Sequence, residues 1–218
     1  MRNTHKFKIL FISSFLTSIL FQTGLQADTF IGSDIEIGMW MPSSTADGIS
    51  QTVSDESSTL FASATIEHPL PILPNIKVGL SSVDNNIFEY TKIDATAYYE
   101  ILDNDAVSID VGLGASAYMD GKYLAQDFDG VLPHVYLDAE VMLPFTGTTA
   151  YTDIRYIDYD GNSITDAIVG LRYDVDLIAT ELAVKAGYRV QSINTIDLDD
   201  LSFDIESDGY FIGLHADF

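Results

Sequence analysis

The feature that most constrains this chain is a period-two alternation of apolar and polar residues, which recurs in ten stretches after residue 30. In one of them Val107, Ile109, Val111, Leu113, Ala115, Ala117 and Met119 alternate with Ser108, Asp110, Gly112, Gly114, Ser116 and Tyr118. In another, Leu182, Val184, Ala186, Tyr188 and Val190 alternate with Ala183, Lys185, Gly187, Arg189 and Gln191. Successive side chains of a strand point to opposite faces, so each stretch predicts a strand with one apolar and one polar side. The predicted strands are 30–42, 58–67, 75–84, 91–102, 106–119, 132–143, 148–160, 163–176, 179–192 and 205–218. Most exceed the usual soluble strand of about 5–6 residues and are long enough, when tilted, to cross a bilayer.

The connections alternate in length. Ser43 to Ser57, Asp120 to Val131 and Ile193 to Asp204 read as long loops at one end. His68 to Pro74, Asp103 to Asp105, Pro144 to Gly147 and Leu177 to Ile178 read as tight turns at the other. Asp160-Gly161 is a two-residue hairpin signal. The expected fold is all-β: a transmembrane, antiparallel, up-and-down β-barrel of about ten strands, or eight if one hairpin is misread.

Alternation alone does not say which face meets lipid, but three patterns do. Gly38, Gly79, Gly112, Gly114, Gly170, Gly187, Gly209 and Gly213 fall on the polar parity, where small residues ease crowding in a narrow lumen. Lys77, Lys92, Arg155, Arg172, Lys185 and Arg189 share that parity, and Lys122 falls in a loop. Acids accompany them inward: Glu36, Asp94, Glu100, Asp110, Asp138, Glu140, Asp153 and Asp174. On a lipid face a Lys or Arg costs about 2–4 kcal/mol at the midplane. Aromatic residues of the apolar parity gather near strand ends, with Tyr156, Tyr188 and Tyr210 towards one interface and Tyr99, Tyr173 and Phe218 towards the other. Trp40 departs from this parity and is expected at an interfacial strand end.

The N-terminus carries a separate message. Arg2, Lys6 and Lys8 precede an apolar run, Ile9 to Phe21, followed by a polar stretch ending at Ala27. That is the three-part pattern of a secretory signal peptide, so the expected division is a signal over 1–27 and a barrel over 28–218. The chain has no cysteine, which excludes disulfides, thiol chemistry and zinc–thiolate sites. Its 33 acids outweigh 10 bases, three of which lie before Ala27. Such a balance disfavours nucleic acid and anionic surfaces as partners.

The last strand, Tyr210-Phe-Ile-Gly-Leu-His-Ala-Asp-Phe218, ends on an aromatic preceded at every second position by Ala216, Leu214, Ile212 and Tyr210. It resembles the β-signal of small bacterial outer-membrane β-barrel proteins. The resemblance implies an outer-membrane location, insertion by the barrel assembly machinery, and lipid with lipopolysaccharide as surroundings.

The chemistry-bearing residues are few. His68 lies in a turn, His215 points inward near the closing end, and His134 is expected near the outer rim beside Asp138 or Asp120. Only His134 is placed for acid–base work with a hydroxyl or carboxylate. Asp158, Asp160, Asn162 and Asp166, and the run Asp197, Asp199, Asp200, Asp204, Glu206 and Asp208, offer oxygen atoms in outer loops. Hard cations favour such oxygens, so weak divalent-cation contacts are expected there, but the spacing fits no EF-hand. No catalytic, cofactor-binding or resident-metal site is expected.

The remaining expectation is a lumen charge network of Lys77, Lys92, Asp94, Asp110, Asp138, Glu140, Asp153, Arg155, Arg172, Asp174, Lys185 and Arg189. Either these charges pair and fill the lumen, or they line a narrow passage. The first implies a structural or surface-interaction barrel and is preferred. A narrow channel for ions or small solutes comes second, and an interfacial lipid enzyme a distant third.

Overall fold

The computed structural model of the protein describes residues 32–46, 49–53, 58–70, 72–85, 88–104, 106–124, 126–176 and 181–218. The expected signal segment and the turn at 177–178 lie outside them.

The described chain is all-β. Its strands are β1 (Gly32–Ala46), β2 (Ile49–Val53), β3 (Thr59–Glu67), β4 (Asn75–Asp84), β5 (Phe88–Asn104), β6 (Val107–Tyr123), β7 (Gln126–Leu143), β8 (Thr148–Tyr159), β9 (Asn162–Asp176), β10 (Glu181–Leu198) and β11 (Leu201–Asp217). The sheet runs β11-β10-β9-β8-β7-β6-β5-β4-β3-β1, and β11 pairs back onto β1, closing a ten-strand antiparallel ring. Closure extends from Asp34 opposite Asp217 to Ala46 opposite Ile205. Ser33 and Phe218 add a reciprocal pair of backbone hydrogen bonds at 2.9 and 3.4 Å. The short β2 pairs only with the far part of β1, at Ser44–Val53 and Ala46–Ile49. The end holding Gly32 and Phe218 is termed the closing end, and the other the distal end.

Several expected long loops are strands. β6 continues to Tyr123 and β7 starts at Gln126, while β10 continues to Leu198 and β11 starts at Leu201. The β10–β11 turn is two residues, Asp199 (φ 53°) and Asp200 (φ 63°), and β8–β9 turns through Asp160 (φ 51°) and Gly161 (φ 78°). Positive φ at both central residues belongs to the hairpin turn that matches strand twist, and Asp, Asn and Gly tolerate it best. Lys122, expected in a loop, lies on β6 and pairs with Glu89 of β5. Between Tyr118 and Gly121 the β6–β7 register shifts, with Asp120 at φ 51°. This bulge lets the strand continue past the expected end at residue 119.

These extensions escape the sequence pattern because the two faces exchange character along each strand. In the closing half the outward face is apolar: Ile212, Leu214, Leu171, Val169, Leu113 and Val78 are exposed. The inward face there is polar, with Glu36, Lys185, Asp153 and Arg155 buried. In the distal half Phe128, Leu132, Ile157, Ile164, Ile193, Leu198, Phe203 and Ile205 point inward and form one buried cluster. Along β11 the alternation of burial never breaks, from Phe203 and Ile205 to Phe211 and His215. Its outward residues nonetheless pass from Asp204, Glu206 and Asp208 to Tyr210, Ile212 and Leu214. Tyr156, Tyr188 and Tyr210 stand on the outward face at this change.

Inward glycines make room for large side chains directly across the ladder. Gly38 faces Phe61, Gly114 faces His134, Gly170 faces Tyr151 and Gly187 faces Phe211. A Cβ on Gly38 would lie 2.2 Å from Phe61 Cζ, well inside contact distance. Trp40, expected at an interfacial end, is instead wholly inside at 1% exposure. Its Nε1–H donates to Gly209 O at 3.2 Å, and the Arg189 guanidinium lies over its ring at 4.8 Å. A polar tip and a π-face that both find partners inside outweigh the usual preference of Trp for an interface.

Candidate functional site

The polar lumen has two levels, a paired layer at mid-height and an open vestibule at the closing end. The paired layer is centred on Asp166 of β9, which is 2% exposed. Arg189 of β10 grips it with two bonds, Nε to Oδ1 at 2.8 Å and Nη2 to Oδ2 at 2.6 Å. Lys92 of β5 reaches across the lumen to the same carboxylate at 2.5 Å and lies 3.2 Å from Asp94. Arg155 of β8 bonds Asp153 at 2.6 Å and stands 3.6 Å from Asp94. Lys77 of β4 donates to Asp153 at 2.8 Å and to the Tyr136 hydroxyl at 2.9 Å. The Tyr136 ring carries Lys77 and Arg155 each 5.3 Å from its centroid. Every charge of this layer has an opposite partner, which offsets desolvation that would otherwise expel it.

The structure places Asp166 in the lumen and not in an outer loop. The Asp-Gly hairpin beside it suggested an outer-loop oxygen cluster with Asp158, Asp160 and Asn162. Strand parity separates those four: Asn162 and Asp166 are buried inside, while Asp158 and Asp160 are exposed. Among the described residues no group of three or more His, Asp or Glu is placed to hold a metal ion.

His134 is also displaced from expectation. It lies in the lumen at 2% exposure rather than at the outer rim. Its Nδ1 and Nε2 are 2.9 Å from Ser116 Oγ and 2.9 Å from Thr96 Oγ1. Ser116, fully buried, donates to Asp94 Oδ1 at 2.7 Å. With its proton committed to Asp94, Ser116 accepts from Nδ1–H, and Nε2 then accepts from Thr96. The imidazole is thus not the base for this hydroxyl, and the Asp–Ser–His set lacks the order that activates a nucleophile. It ties β5, β6 and β7 together.

Towards the closing end Lys185 of β10 donates to Glu36 of β1 at 2.6 Å and sits 4.0 Å over the Tyr151 ring. Arg172 of β9 bridges Glu140 at 2.7 Å and Asp174 at 3.1 Å. Asp110 and Asp138 behave differently, since they are direct cross-strand neighbours. Glu100 precedes them and Asp153 follows in the same row. Here the lumen opens into a vestibule of about 640 Å³, lined by residues that include Asp34, Glu36, Glu67, Asp110, Asp138 and His215.

Ion pairs occupy the middle, but apolar and aromatic side chains, not charges, occupy the distal half. Phe203 stacks on Tyr123 at 4.9 Å and meets Phe128 at 5.2 Å. Tyr90 meets Tyr118 edge-on at 5.5 Å, and its hydroxyl bonds Gln191. An inward run of Phe and Ile past the end of the outward apolar pattern was the available signal for this plug.

No family model matches the chain, and no curated protein matches it. Among solved structures, Neisserial surface protein A is 14% identical, covering 88% of this chain and 100% of its own, with a TM-score of 0.41. The outer membrane protease OmpT from Escherichia coli is 11% identical over 90% of this chain and 99% of its own, with a TM-score of 0.41. A loop L8 deletion mutant of OmpT, an outer membrane protein of Vibrio cholerae, is 8% identical over 87% and 100%, with a TM-score of 0.30. Each of these is a surface or outer-membrane protein by its own name, and the role of this chain rests on its own geometry.

Proposed function

We propose that the protein is a bacterial outer-membrane barrel, closed to solutes, with a structural or surface-interaction role exercised by its distal half. The observation that carries this reading is the exchange of faces along the strands. A closing half that is apolar outside and polar inside suits hydrocarbon. A distal half that is polar outside and apolar inside suits water. The chain then stands in the membrane to the level of Tyr156, Tyr188 and Tyr210, where amphipathic rings are favoured, and projects beyond it as a water-soluble barrel with its own core.

That projecting surface is acidic, carrying Asp84, Glu89, Asp127, Asp129, Asp158, Asp204, Glu206 and Asp208 on its strands. It is the surface that lipopolysaccharide, with divalent ions between, or a partner molecule would meet. In the closing strand Tyr210, Ile212, Leu214, Ala216 and Phe218 form the lipid-facing row that the assembly machinery would read. The removable segment 1–27 would direct export.

Conductance tests the closed state. The barrel in a planar bilayer is expected to give no steady open current, because the plug from Phe128 to Ile205 sits in the way. A steady ohmic conductance would establish the channel reading instead.

A further inference from the structure

We propose that the vestibule at the closing end is a binding site for a linear polyamine, a flexible chain bearing two or more ammonium groups. The inference rests on the cavity itself and holds whether or not the distal half conducts.

The vestibule wall carries seven carboxylates, Asp34, Glu36, Glu67, Asp110, Asp138, Glu140 and Asp217, against three bases, Lys77, Arg172 and Lys185. Those bases are already engaged. Lys185 holds Glu36, Arg172 holds Glu140 and Asp174, and Lys77 holds Asp153 outside the wall. Among the described residues, no Lys or Arg forms an ion pair with Asp34, Glu67, Asp110, Asp138 or Asp217. Asp110 and Asp138 face each other across β6 and β7, an arrangement that like charges oppose.

Acidity alone would attract any counter-ion, but the unsatisfied atoms are more selective. Two buried polar atoms on the wall lack a hydrogen-bond partner, Asp110 Oδ1 and His215 Nδ1. His215 is only 9% exposed. Its Nε2 lies 3.2 Å from Asp217 Oδ1 and its Nδ1 is 4.0 Å from Asp34 Oδ1. With Nε2–H donating to Asp217, the other nitrogen of that tautomer, Nδ1, is an acceptor. Both orphan atoms therefore accept, and what the wall lacks is donors that carry positive charge. An ammonium supplies three N–H donors, whereas a bare metal ion supplies none.

The two atoms also stand on opposite walls. From β11 to β6 the ring passes through β10, β9, β8 and β7 one way, and through β1, β3, β4 and β5 the other. One ammonium does not serve both sides. A chain with ammonium groups at its two ends does, one at Asp110 and Asp138, the other at His215 and Asp34, within a space of about 640 Å³.

Isothermal titration of spermidine into the purified barrel in non-ionic detergent tests this. Saturable binding is expected, tenfold or more weaker in Asp110→Asn and likewise in His215→Gln, with propylamine at least tenfold weaker than spermidine on the unaltered protein. The propylamine comparison needs no variant, so a folding defect does not remove the test. Absence of saturable heat, binding by both variants as tight as that of the unaltered protein, or full competition by equimolar Mg²⁺ would overturn the proposal. So would a short oligolysine peptide that binds more tightly than spermidine, since the occupant would then be a peptide.

Discussion

The two halves of the barrel solve the same packing problem with opposite chemistry. In the distal half the wall faces inward with Phe128, Ile157, Ile164, Phe203 and Ile205, a core like that of a soluble protein. In the closing half the same strands face inward with Asp166, Arg189, Lys92 and Arg155, which are held by mutual ion pairs. Apolar packing needs only shape, so the distal half gathers into one buried cluster. Charges need partners at defined distances, so the closing half fills where bases suffice and opens into a vestibule where acids outnumber them. The outer face changes in step with the inner one. Where it is apolar, the inner face is left for polar residues, and where it is polar, apolar residues lie within.

The largest expected effect comes from the hub. Asp166→Ala leaves Lys92 and Arg189 buried without their shared carboxylate, and breaking such a pair costs about 3–5 kcal/mol. Urea unfolding in lipid vesicles should show this loss, and an unchanged midpoint would mean that the mid-lumen is wetter than its burial indicates.

Next comes the boundary between the halves. Leu214→Arg and Glu206→Arg are both outward changes on β11. The first is expected to cost about 2–4 kcal/mol in a bilayer and the second close to nothing. Equal costs in vesicle-based unfolding would erase the distinction between lipid-facing and water-facing halves.

Gly38→Ala sharpens the account of inward crowding. The added methyl meets the Phe61 ring at 2.2 Å, and overpacking of this kind costs about 1–3 kcal/mol. The smallest effect, and the one of opposite sign, belongs to Asp110→Asn. Relief of the facing carboxylates should leave stability equal or raise it by about 0.2–1 kcal/mol in the same unfolding assay. A clear loss would show that Asp110 holds a partner the geometry does not reveal.

Much of this was legible in the chain. Strand period, strand number and the inward parity of Lys77, Lys92, Arg155, Arg172, Lys185 and Arg189 follow from residue order, because side chains alternate strictly across a strand. The strand extensions were not legible by the same rule. A search for apolar residues on the outward parity stops at Tyr210 and Val190, where Asp208 and Ser192 begin, although the backbone goes on pairing past both. His134 and Asp166 were misplaced for a related reason, since nearness to a turn in sequence says little about height within a tilted wall.

Residue order by itself determined that the chain forms long antiparallel strands with one face suited to lipid, since that depends only on local alternation. The partners inside the lumen were decided by tertiary structure alone. Lys92 meets Asp166 across 74 residues and Lys185 meets Glu36 across 149. Which charges come level across the lumen depends on strand tilt and stagger around a closed ring. No single strand contains that information. The same closure carried His215 and Asp110 to opposite walls of one cavity, and so made a vestibule of residues that the sequence scatters over nine strands.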